Sequence, residues 1–174
     1  GEEIAEKLGD ISTVFTQLSN GFTVSGIYNG LVNKWVEGEI SKYPQIFSCT
    51  IPHGNLIFRD YKKNLELDDI SIDNFGDVRA NKYTKNLFAD EGALLEETLY
   101  AIYDTDGKVI PVDEDLLKES AHFLRKQENI SLTTQEAYSF AGFYKLAKEG
   151  KIKDGKHVIV LNNGKSELDN MFSI

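Results

Sequence analysis

Ser19-Asn20-Gly21, set directly before Phe22-Thr23-Val24, joins a short β-rich run to a helical pattern. The chemistry open to such a junction is anion binding. A glycine turn leading into a helix leaves the first backbone N–H groups without intrahelical acceptors, and the helix dipole adds partial positive charge at the same end. With the hydroxyls of Ser19 and Thr23 beside them, these amides suit a phosphate group. A second junction of the same kind follows Val160-Leu161, where Asn162-Asn163-Gly164 ends another apolar run. In open α/β sheets ligands collect at the carboxyl ends of strands, where such loops converge.

The elements that must hold these loops are legible in part. Thr13 to Leu18 reads as a strand. From Thr23 the period lengthens, and Val24, Ile27, Tyr28, Leu31, Val32 and Trp35 form one stripe of a helix running to about Gly38. Ile46 to Ile51 is a second strand, so strand, helix and strand make a crossover in a parallel sheet. Residues 52–93 show little periodicity and are expected to be irregular. Leu99–Tyr103 and Lys108–Val112 flank Asp104-Thr105-Asp106-Gly107 as a hairpin would, with Gly107 at positive φ. Asp113 then caps a helix ending near Asn129, and Thr133 with Glu136 forms a capping box for another that Gly150 closes. His157 to Leu161 is apolar enough for a strand covered on both faces. The expected fold class is α/β, an open, twisted, mostly parallel sheet with flanking helices, as one domain over residues 1–174.

Composition narrows the partners. A net charge of -9 and a pI near 4.8 repel phosphodiester backbones and anionic lipid heads, so neither nucleic acid nor a membrane surface is an expected partner. No apolar run is long enough to span a bilayer, no leader pattern is read, and the single Cys49 suits a reducing cytoplasm. Cys49 reads as a small buried hydrophobe rather than a nucleophile. His53, His122 and His157 lack ligand spacing, so no metal is expected. Asp68-Asp69 and Glu96-Glu97 read as solvated charge. "GEEIAEKLGD" opens inside a helical pattern, which suggests the C-terminal part of a longer chain.

The order "VFTQLSNGFTVSGIYNG", "GEISKYPQIFSCTI" and "GKVIPVDEDLLKES…KHVIVLNNGKSELD" resembles the C-terminal half of threonine-synthase-like enzymes. These are fold-type-II, tryptophan synthase β-like enzymes that use pyridoxal 5'-phosphate. The resemblance implies that Ser19, Asn20, Gly21, Phe22, Thr23 and Val24 surround the cofactor phosphate and that Asn162 faces its pyridine nitrogen. Phe22 stands where the family commonly has glycine, and Asn162 where it has threonine.

It also implies an enzyme acting on a small amino acid by a lyase or replacement reaction, a homo-oligomer, and a missing N-terminal segment. That segment would carry the Schiff-base lysine in a Ser-x-Lys motif absent from these 174 residues, so no catalytic residue is assigned and the chain alone is expected to be inactive. The alternatives are the β subunit of 2-amino-4-oxopentanoate thiolase, or a non-catalytic α/β module binding a phosphorylated ligand or a protein.

Overall fold

The computed structural model describes residues 1–8, 10–64, 78–89 and 93–161. Helix α1 (Glu2–Leu8) precedes strand β1 (Thr13–Gln17), helix α2 (Phe22–Val36), strand β2 (Gln45–Thr50) and helix α3 (Leu56–Asn64). Helix α4 (Leu95–Asp104), strand β3 (Lys108–Pro111), helices α5 (Glu114–Glu128) and α6 (Thr134–Lys148) and strand β4 (His157–Ile159) follow. The four strands form one sheet in the order β3-β2-β1-β4, and every pairing is parallel. Val14 lies beside Ile46 on one side and Val158 on the other, which brings the carboxyl ends of β1, β2 and β4 to one edge.

Alternation along β1 divides the core. Val14 and Leu18 pack with Val24, Ile27, Leu31, Ile57 and Ile102 on the α2 and α4 side. Phe15 packs with Phe47, Cys49, Leu117 and Ala141 on the α5 and α6 side. Burial pushes the Cys49 thiol up, which suppresses the thiolate a nucleophile would need. In the α2 stripe Val24, Ile27 and Leu31 are buried while Trp35 is exposed. Lys34 is buried instead, its ammonium 2.9, 3.0 and 3.2 Å from carboxylate oxygens of Glu6, Glu37 and Glu39, which pins α1 to α2.

The caps form as the sequence indicates. Asp113 accepts from the Leu116 amide, Thr133 and Glu136 make the reciprocal capping box, and Gly150 takes φ 67° after α6. Four expectations are overturned. Leu99–Tyr103 is not a hairpin strand but part of α4, because Leu95, Thr98, Leu99 and Ile102 meet the core at helical spacing while Tyr100 and Tyr103 stay exposed. Asp106, not Gly107, takes positive φ there. Residues 52–93 are not wholly irregular, since α3 occupies Leu56–Asn64 with Ile57, Phe58 and Tyr61 facing the core. β4 is half-buried rather than covered on both faces, because it lies at the sheet edge. Glu96 and Glu97 are exposed in the first turn of α4, whereas Asp68-Asp69 lie outside the described residues.

The tyrosines give the fold a pH limit. Burial first, then the hydrogen bond to Asp104, holds the Tyr28 phenol above its usual value. Burial is the main cause that raises Tyr61, against a lowering hydrogen bond to the Val109 backbone, and burial followed by the nearby Glu114 charge pushes Tyr138 up to about 12. The folded state therefore keeps protons that unfolded tyrosine releases near a pH of about 10. The stability this contributes is complete below that pH and is lost as the pH climbs through the folded values. In an alkaline titration, tyrosinate absorbance at these sites is expected to appear together with loss of helix circular dichroism. Full ionisation near the ordinary tyrosine value with the fold intact would contradict this.

Candidate functional site

The candidate residues Ser19 to Val24 lie where β1 turns into α2. Gly21 is the N-cap of α2 in the left-handed region, at φ 92°, and makes no side-chain cap. The first intrahelical bond runs from the Ser25 amide to the Gly21 carbonyl at 2.9 Å, so the amides of Phe22, Thr23 and Val24 precede the helical ladder. A serine or aspartate at the cap would turn its own oxygen onto them. Gly21 leaves that role to another acceptor.

Glycine is also a steric requirement here. A Cβ at position 21 would overlap Thr98 Oγ1 and stand 3.1 Å from the Leu94 carbonyl oxygen. The buried Thr98 hydroxyl is 3.3 Å from Ser25 Oγ, so α4 packs directly beneath the turn. The Leu94 amide donates to the Asn20 carbonyl at 2.8 Å and holds the turn from the α4 side.

Ser19 and Thr23 are half-buried, Phe22 is 59% exposed, and Val24 is in the core, where only its backbone faces the junction. Asn162 lies outside the described residues, one position beyond Leu161. β4 nevertheless runs parallel to β1 with Phe15 beside Ile159, and its carboxyl end leads to the same edge as the Ser19–Gly21 turn.

The sequence reading missed Asn55. This side chain is 1% exposed and donates from Nδ2 to the carbonyls of Ser19 at 2.9 Å and Leu87 at 3.0 Å, with Leu18 at 3.3 Å. Thr50 Oγ1 donates to the same Leu18 carbonyl at 2.7 Å. The local signal was present, because Gly54-Asn55 precedes an apolar-periodic stretch, as an N-cap does. Its reach to β1 was not readable.

One further atom marks this edge. Gln17, the last residue of β1, is 3% exposed and its Oε1 has no hydrogen-bond partner among the described residues. A buried acceptor left unmade costs about 1–3 kcal/mol, so it is an uncommon feature at a strand end.

No protein-family model matches the sequence, and no curated protein matches it. Solved structures do match the fold. Maize serine racemase superimposes with a TM-score of 0.65 at 17% identity, over 98% of this chain and 48% of its own. Threonine deaminase isoform 2 from Solanum lycopersicum gives 0.60 at 20% identity, over 98% and 46%. A pyridoxal 5'-phosphate-dependent aspartate racemase gives 0.62 at 13% identity, over 99% and 49%. The chain spans about half the length of each. It therefore has the parallel α/β fold of the fold-type-II enzymes that its sequence resembles, across about half of their extent.

Proposed function

We propose that this chain is the C-terminal, cofactor-binding half of a cytoplasmic pyridoxal 5'-phosphate enzyme acting on a small amino acid. The observation that carries the reading is the αL glycine cap of α2, at the strand end of a fold shared with amino-acid racemases and a deaminase. The residues suit the group. The amides from Asn20 to Val24 and the hydroxyls of Ser19 and Thr23 would hold the phosphate, and Asn162 would face the pyridine nitrogen.

The bound cofactor supplies an electron sink for carbanion chemistry at the substrate. An uncharged amide at Asn162 would not hold a proton on the pyridine nitrogen as a carboxylate partner would. The exposed Phe22 ring follows the turn directly and would limit what approaches the phosphate edge. The N-terminal half would contribute the lysine that bonds the cofactor and would extend the sheet past β4, whose outer edge has no strand partner among the described residues.

Within this class we favour a threonine-synthase-like lyase or replacement reaction. Titration of the full-length protein with pyridoxal phosphate is expected to give a visible absorption band that survives dialysis. Its absence would overturn the cofactor reading and leave a non-catalytic α/β module. Product analysis with small amino acids, together with sedimentation of the same preparation as a homo-oligomer, refines the rest. Racemised substrate would replace the lyase reading with a racemase. Carbon–carbon thiolysis by a two-subunit enzyme would replace it with the 2-amino-4-oxopentanoate thiolase β subunit.

A further inference from the structure

We infer that Asn55 is a positioning residue that presets the orientation of the cradle amides before any anion arrives; this rests on the site proposed above. A trans peptide is planar, and its C=O and N–H point in opposite directions. There are no cis peptides among the described residues. Asn55 Nδ2 draws the Ser19 carbonyl inward at 2.9 Å, so the N–H of Asn20 must point away from the core. The Leu94 amide does the same to the Asn20 carbonyl at 2.8 Å, which turns the N–H of Gly21 outward. Two consecutive peptide planes are thus set from behind.

Asn55 can do this because its other end is fixed. Its Oδ1 accepts from the Phe58 amide at 3.1 Å, and its carbonyl accepts from the Arg59 amide at 3.0 Å, so it caps α3. The Ala89 amide donates to the Gly54 carbonyl at 3.0 Å and the Leu56 amide to the Ala89 carbonyl at 2.7 Å, locking the backbone on both sides. One buried amide therefore couples the start of α3 and the Leu87 carbonyl to the turn after β1. Preorganised donors lose little freedom when a ligand binds, which is how a residue that never touches the anion can change its affinity.

The test separates capping from positioning. Asn55→Ser keeps a hydroxyl cap for α3 but cannot reach Ser19. Asn55→Asp keeps the Oδ1 cap and sets a carboxylate oxygen against the Ser19 and Leu87 carbonyls. In the full-length protein, affinity for pyridoxal phosphate is expected to fall about tenfold or more in both variants. Affinity for pyridoxal, which lacks the phosphate, is expected to stay within about twofold. Lys34→Met, which loosens α1 from α2, serves as a control destabilised elsewhere and is expected to keep the wild-type ratio of the two affinities.

Equal losses for both ligands, or an unchanged ratio in Asn55→Ser, would overturn the inference. Inorganic phosphate gives the outcome independent of cofactor identity. It is expected to shift the Asn20 and Gly21 amide resonances in the wild type and to lose that effect in Asn55→Ser. If those resonances do not respond in the wild type, the inference fails. If they respond while pyridoxal phosphate gives no absorption band, the inference stands and only the cofactor reading fails.

Discussion

Gly21→Ala is expected to lower stability by about 3 kcal/mol and to abolish retention of the cofactor. Two costs add. The left-handed backbone at φ 92° costs an alanine about 1–2 kcal/mol, and a Cβ driven against Thr98 Oγ1 and the Leu94 carbonyl adds about 1–3 kcal/mol of overpacking. For a chain of this size the melting temperature should fall by roughly 9 °C. Thr98→Ala in the same chain removes the hydroxyl but not the φ penalty, so the double variant should recover about half the stability. It should not recover cofactor retention, because the turn stays displaced. Thermal unfolding and dialysis of the cofactor-loaded protein read the two quantities separately. A stable Gly21→Ala protein that keeps its cofactor would mean that this turn is not the cradle.

Gly107→Ala is expected to be at least as damaging to the fold, for a different reason. Gly107 has no positive φ, so backbone strain contributes nothing. Its Cβ would instead overlap the Ile46 carbonyl oxygen and stand 3.1 Å from the Ile102 carbonyl oxygen. Both obstacles are backbone. Ile46 is held beside Val14 in the central β1–β2 ladder, and its amide donates to the Thr105 hydroxyl at 3.3 Å, which fixes it further. No rotamer change relieves the overlap, so β3 must move off β2, at a cost of about 3 kcal/mol or more. Gly26→Ala is the matched comparison. A Cβ there meets nothing within 4 Å, and the residue sits inside α2, so alanine should stabilise by about 0.5–1 kcal/mol. Urea midpoints that moved the same way for Gly26→Ala and Gly107→Ala would refute the steric account.

The parallel sheet, the β1–α2–β2 crossover and the caps of α5 and α6 were legible in the residues because each is written locally. A strand run, a period of 3.6 and an Asp or Thr cap act over one to four residues. The β1–α2 junction was legible for the same reason, since Ser19-Asn20-Gly21 carries its own turn chemistry. α4 was misread because Leu99-Tyr100-Ala101-Ile102-Tyr103 is rich in β-prone residues. Its true period emerges only when Leu95 and Thr98 are counted with Leu99 and Ile102. α3 was missed because a helix this short gives a periodic pattern too little length to stand out.

By itself the amino-acid order determined a parallel α/β chain with a glycine turn at the end of its first strand. Only the tertiary structure decided what holds that turn. Asn55 is 36 residues from Ser19 along the chain, and Thr98 is 73 from Ser25. No local pattern encodes a hydrogen bond over such separations, because it exists only after the strands have paired and the helices have packed on them. The half-buried state of β4 was decided in the same way: an apolar run specifies that a strand will be covered, whereas its place in the sheet order sets how much of it is.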